Sequence, residues 1–268
     1  MPRSYLKIAL GAVTIFLALF VYSPIILMIV FSFNSADRMV PPFEGFSLRW
    51  YQEWLSSPEI VAALTRSLEL AFATALLATA LFAPAGLAYK RPFRGSELIF
   101  YLIILGLVVP GITYGFGALL FFRQLGVQIS LLTGLPVHTV WALPWGMILV
   151  RASIDPNLIL YEEAARTLGC SPLRVFRKIT LPLITPAIMA GALFAFTLSI
   201  GELFRSVFVV SPDTLPLRIF AIVQIRATPE LLALGSTMTI VSLSLLAIAG
   251  LFLRKAVKVE GTASKAAA

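Results

Sequence analysis

An α-helix needs roughly 20 residues to cross the hydrocarbon core of a bilayer, so a long run without Asp, Glu, Lys or Arg has few other destinations. Six such runs occur in the 268-residue chain, at about 8–33, 70–89, 98–122, 132–150, 183–200 and 231–253. With 59% hydrophobic and 13% charged residues, the chain has more apolar surface than a water-soluble domain of this length could cover. It therefore reads as an all-α polytopic membrane protein, one transmembrane domain over 1–268 with six spans. The first run is too long for the apolar core of a signal peptide, and no small-residue cleavage site closes it, so it is expected to persist as a span. Pro24, Pro84, Pro136 and Pro144 fall inside or beside the runs, where bends are expected.

The formal charge of +8 raises nucleic acid as a partner, but the basic residues flank apolar runs and form no basic face interleaved with aromatics. Membrane lipid is the expected contact, and no nucleic acid is. Lys and Arg near span ends are retained on the cytoplasmic side. With both termini cytoplasmic, the inner segments hold twice as many Lys and Arg as the outer ones, among them Lys90, Arg91, Arg94, Arg151, Arg174, Arg177 and Lys178. That bias places residues 151–182 in the cytoplasm. The single cysteine, Cys170, excludes an internal disulfide, and the lone His138 has no companions at metal-ligand spacing, so no metal site is read.

Residues 34–58 are too polar to cross and form an outer loop. Trp50, Tyr51, Trp54 and Leu55 share one helical face there and are expected to lie along the membrane interface. Gly111 and Gly115 form a small-residue pair on the third span, suited to close packing, and Thr113 and Tyr114 between them are candidates to line a pathway. His138, near the outer start of the fourth span, is expected to be structural.

The polar stretch from Tyr161 to Pro182 interrupts this apolar pattern. Glu162 to Leu168 are good helix formers, and Gly169 stands where a left-handed residue would end that helix. Ser171 can cap a second helix with Pro172 at its first position, where the missing N–H costs nothing. Two short helices turning at Gly169 are expected, either a solvated loop or a surface for another protein.

The pattern Glu-Ala-Ala, three residues, Gly, nine residues, Ile-x-Leu-Pro is met by Glu163, Ala164, Ala165, Gly169, Ile179, Leu181 and Pro182. It resembles the signature loop of the inner-membrane permeases of binding-protein-dependent (type I) ABC importers. The resemblance implies that permease fold, with six transmembrane helices and a cytoplasmic coupling-helix loop over 151–182, in a bacterial inner membrane. It implies an ATPase-coupling role for those seven residues. Stretches such as Phe46-Ser47-Leu48-Arg49-Trp50-Tyr51, Val108-Val109-Pro110 and His138-Thr139-Val140-Trp141 are similar to the spermidine/putrescine branch, which implies half of a translocation pathway for a small organic solute, a polyamine.

Two positions depart from that branch, many of whose members carry an acid after the proline of the third span and an Asp pair after Thr-Leu-Ser of the fifth. Here those places hold Gly111 and Gly201-Glu202. The lost negative charge leaves an opine, an aminophosphonate or another small ion open as cargo. Glu202 remains a candidate for contact with cargo, alongside Thr113 and Tyr114; pairing with nearby Arg205 is the alternative.

The chain has no G-x-x-x-x-G-K-[ST] phosphate loop and no catalytic constellation, so it is not read as an enzyme and no cofactor is assigned to it. ATP and Mg are expected in a cytoplasmic ATP-binding subunit dimer. The resemblance further implies a second permease subunit, a paralogous heterodimer partner, and a periplasmic or extracellular substrate-binding protein. A secondary transporter, the alternative of another class, needs buried ionisable residues for coupling, and the apolar runs hold almost none.

Overall fold

The computed structural model describes residues 3–266 apart from 40, 92, 226 and 227. In chain order the helices are α1 (Arg3–Phe31), α2 (Arg49–Leu55), α3 (Pro58–Ala88), α4 (Ser96–Val108), α5 (Gly111–Gln124), α6 (Leu131–Ala152) and α7 (Leu158–Thr167). Then come α8 (Pro172–Val175), a π-helical turn (Phe176–Thr180), α9 (Leu181–Ile200), α10 (Ser206–Val209), α11 (Leu215–Ile225) and α12 (Pro229–Ala266). Among the described residues no strand forms, and one antiparallel bridge joins Asn34 to Phe46. The protein is thus all-α.

Among the described residues, five segments are long and apolar enough to cross a membrane: Lys7–Phe31, Pro58–Ala88, Leu131–Ala152, Pro172–Ile200 and Pro229–Phe252. The remaining run, 98–122, is divided, because α4 and α5 meet at 103°. The cause is local. Pro110 has no N–H to give and disfavours helical geometry in the residue before it, and Val109 is extended at φ −68°, ψ 123°. Pro24, Pro84, Pro136, Pro144 and Pro186 by contrast stand inside continuous helices.

The chain forms two compact units. One comprises Met1–Val61 with Ile219–Val241. In it, α1 is apolar on every side and none of its most hydrophobic 18-residue window is buried, as suits a helix whose solvent is lipid. The segment after α1 folds back on itself around buried Asn34, whose Oδ1 accepts the N–H of Glu44 at 2.9 Å. Trp50 Nε1 donates to the Asn34 carbonyl at 2.8 Å, Tyr51 and Ser32 hydroxyls meet at 2.7 Å, and Phe33 stacks on both Phe46 and Tyr51. Trp50 and Trp54 are buried in this cap, so these aromatics do not lie along the membrane interface as expected; only Leu55 of that face is exposed. With both indoles inside the fold, the helix has no broad aromatic face left to offer lipid.

The other unit comprises Ala62–Arg218 with Ser242–Ala268. Its centre is the packing of α6 against α9, with Phe82 of α3 fully buried between them. Glycines make the room: a Cβ on Gly146 would stand 2.2 Å from the Phe82 ring, and one on Gly191 would stand 2.7 Å from it. Each end of α9 leads into a polar site.

Candidate functional site

The first site is the stretch leading into α9. In α7, Leu158, Glu162 and Ala165 recur at helical spacing and form the face turned inward, with Leu158 and Glu162 buried and Ala165 half-buried. After Thr167 the helix stops as expected. Gly169 takes φ +84°, a left-handed geometry that only glycine adopts cheaply. Its N–H donates to the Arg166 carbonyl at 2.9 Å and that of Cys170 to the Ala165 carbonyl at 3.0 Å, the paired bonds of a Schellman termination. Nothing lies within 4 Å of where a Cβ on Gly169 would be, so within the chain the glycine is needed for conformation alone.

Ser171 is extended at φ −66°, ψ 152°, with Pro172 in the first turn as expected, although the Ser171 side chain makes no capping bond. The helix that follows does not remain separate. Pro172 to Ile200 is one continuous helical segment, joined by the π turn. Leu181 N–H reaches the Phe176 carbonyl five residues back. Pro182, one residue on, has no N–H for the Lys178 carbonyl and would crowd it in a regular helix, so the wider turn relieves that conflict.

The turn is held by a residue that the sequence pattern did not single out. Glu162 is 2% exposed and takes three hydrogen bonds: Lys90 Nζ donates to Oε1 and Oε2, each at 2.8 Å, and Thr180 Oγ1 donates to Oε1 at 2.6 Å. Burial alone would raise the Glu162 carboxyl. The hydrogen bonds from Lys90 and Thr180, with the charges of Lys90 and Arg166, outweigh it and hold the group below its ordinary value. The only sequence signal was an acidic residue on the inward face of a helix; its partner Lys90 lies 72 positions away.

The residues expected to couple lie mostly outward. Glu163 is exposed and paired with exposed Arg91 at 2.9 Å, a contact worth under ~1 kcal/mol that a partner could displace. Ala164, Gly169 and Pro182 are exposed, and Ala165, Ile179 and Leu181 are half-buried. Around them stands unpartnered apolar surface, Leu160, Tyr161, Leu173, Phe176 and, at 85% exposure, Leu168.

The second site is at the other end of α9. Glu202 and Arg205 are both buried and bind each other: Arg205 Nη1 donates to Oε2 at 2.9 Å and its backbone N–H to Oε1 at 3.0 Å. The guanidinium lies 3.7 Å from the centre of the Trp141 ring. Buried His138 bridges Ser199 at 2.7 Å and Ser206 at 2.9 Å, and Ser199 reaches Thr74 at 3.3 Å. Of the three pathway candidates, Glu202 is engaged by Arg205, Tyr114 packs on the cluster of Leu70, Val137, Val209, Val210 and Leu217, and Thr113 is exposed. Gly115 does allow close packing, since a Cβ there would stand 2.7 Å from the Arg205 carbonyl oxygen. A cavity of about 340 Å³ between α6, α9 and α12 is lined by Trp145, Ile148, Leu149, Ala190, Phe194, Leu246, Ala249 and Gly250. With no charged side chain in its wall, it offers little to a polar solute.

Residues 78–258 match the family described as binding-protein-dependent transport system inner membrane component. The chain is 33% identical over 239 residues to the spermidine/putrescine transport system permease protein PotC of Haemophilus influenzae, covering 88% of this chain and 93% of the relative. It is 35% identical over 227 residues to the putrescine transport system permease protein PotI of Escherichia coli K12, covering 81% and 80%. A chain of the MetNI methionine ABC transporter, in an inward-facing crystal form, superposes with a TM-score of 0.62 over 77% of this chain and 98% of its own length, at 19% identity.

Proposed function

We infer the working role of this chain from its family: it belongs to the binding-protein-dependent transport system inner membrane components, multi-pass permeases of ABC importers. The chain forms half of a translocation pathway, with both termini and the loop over 151–182 in the cytoplasm. A second, paralogous permease completes the pathway, a binding protein delivers cargo from outside, and a cytoplasmic ATPase dimer binds ATP and Mg. Glu163, Ala164, Ala165, Gly169, Ile179, Leu181 and Pro182 belong to the surface that seats in the ATPase.

One observation carries this reading. A helix stopped by Gly169 at φ +84° presents Glu163, Ala164 and Leu168 to solvent, while its opposite face is anchored to the chain through Glu162. Exposed apolar side chains on an anchored polar loop fit a partner protein. ATP binding would draw two such loops together, and their spans would turn with them from an inward to an outward opening.

The cargo proposed is a polyamine, in line with the names of the PotC and PotI relatives. A second reading, an opine, aminophosphonate or other small ion, is favoured by a single fact: the Glu202 carboxylate is engaged by Arg205 and is not free for a polycation. Proteoliposomes holding this permease, its partner permease, the ATPase and the binding protein, given ATP, should accumulate labelled putrescine or spermidine. Accumulation of octopine or 2-aminoethylphosphonate instead would move the cargo to the second reading. Uptake by this chain alone, driven by an ion gradient without ATPase, would remove the importer role.

A further inference from the structure

The inward face of α7 offers a place for an apolar residue at position 162. Leu158 and Ala165 flank it, and a leucine would pack α7 against the spans without any desolvated charge. Instead the position holds a carboxylate whose three hydrogen bonds come from two other stretches of chain. Lys90 lies two residues beyond the end of α3, and Thr180 is the last residue of the π turn that opens into α9. Apolar packing tolerates sliding, whereas charge-assisted hydrogen bonds fix distance and direction. The location of Thr180 matters as well. A π turn is a weak point in a helix, and this one sits between the exposed part of the loop, α7 and α8, and the apolar body of α9. A push on the loop would be taken up at that turn unless something bridged it.

We propose that Glu162 is a positioning residue for energy coupling, clamping α7 to Lys90 at the end of α3 and to Thr180 at the start of α9 so that both spans follow the loop. This rests on the coupling role given to the loop above. Glu162 itself touches neither nucleotide nor cargo, and its buried carboxylate is not part of the docking surface. Glu163, its neighbour, faces outward and is left for the partner.

The test uses spin labels on Thr167→Cys and Met189→Cys, both exposed, in a Cys170→Ser chain, with the distance between α7 and α9 read in the purified chain and in the complete importer. The unaltered clamp should give one narrow distance, unchanged when ATP and vanadate are added to the importer. Glu162→Gln should broaden it, already in the chain alone. In the importer the same variant should still capture the ATPase, while hydrolysis stimulated by the binding protein falls roughly tenfold, the scale of one lost charge-assisted hydrogen bond. The exchange Lys90→Glu with Glu162→Lys should restore the narrow distance and most of the hydrolysis, which a merely structural defect would not predict. A narrow distance together with full stimulation in Glu162→Gln would overturn the clamp. If Glu162→Gln fails to insert, Thr180→Val, which keeps shape and removes one bond, is read in the same way: broadening supports the clamp, and an unchanged narrow distance overturns it. Failure of the unaltered chain to capture any ATPase would count against the coupling role of the loop. The distance in the isolated chain, broad or narrow, would still decide separately whether Glu162 clamps α7.

Discussion

Beside each end of α9 stands a buried carboxylate bound to a cation, yet the two are built differently. Glu202 and Arg205 are three residues apart and close on each other, on Trp141 and, through Ser206, on His138. Glu162 and Lys90 are 72 residues apart and tie the middle of α7 to the segment just after α3. A local pair secures the shape of its own turn; a long-range pair makes distant segments share a position. The Glu202 end therefore serves as a fixed corner, and in the proposal above the Glu162 end serves as a clamp that makes separate parts move together.

The contrast should show most strongly when the local pair is cut. Glu202→Gln leaves Arg205 buried without its counter-ion and should cost about 3–5 kcal/mol, seen as a lowered thermal transition of the chain in detergent. Capture of the ATPase by the surviving folded fraction should not change. Glu162→Ala should cost less, about 3 kcal/mol, because Lys90 is 24% exposed and can turn to water; its larger effect should be on stimulated hydrolysis. Equal loss of hydrolysis from both substitutions would erase the distinction. His138→Ala removes the bridge between Ser199 and Ser206 and should cost about 1–3 kcal/mol in the same thermal assay, with both hydroxyls left to find new partners.

The smallest expected effect is on pH. The Glu162 carboxyl is held below its ordinary value, so the native state binds that proton more weakly than the unfolded chain does. Its contribution is fully present above the ordinary carboxylate value and is lost only as pH falls through the lowered one. Protease cleavage within α7 should stay constant through the neutral range and accelerate only in acid below the ordinary carboxylate range. A rise near neutrality would mean that the clamp is not charged as described.

What could be read from the sequence follows from how local each cause is. The apolar runs mark the helices because crossing a bilayer is a demand on consecutive residues, and Gly169 marks its turn because left-handed geometry is a demand on one residue. Pro110 is visible in the sequence, but an apolar run with a proline reads the same whether the helix continues, as at Pro144, or breaks to 103°. Trp50 and Trp54 satisfied the pattern of an interfacial helix equally well as that of a packed cap, and only their neighbours decide between them. Glu162 does not stand out beside the pattern-matching Glu163, because nothing near it in the chain reveals Lys90. The pairing of Glu202 with Arg205, by contrast, needed only a spacing of three.

The coupling role turns on whether the stretch around Gly169 seats in an ATP-hydrolysing subunit. Gly169→Arg tests this directly, since within the chain no atom lies where the new Cβ would go and the left-handed turn costs a non-glycine residue only about 1–2 kcal/mol. The measurement is the amount of ATPase subunit retained by the purified Gly169→Arg chain relative to the unaltered one, with membrane insertion checked in parallel. Normal insertion with loss of the bound subunit is the expected result; normal insertion with undiminished binding would show that the ATPase docks elsewhere.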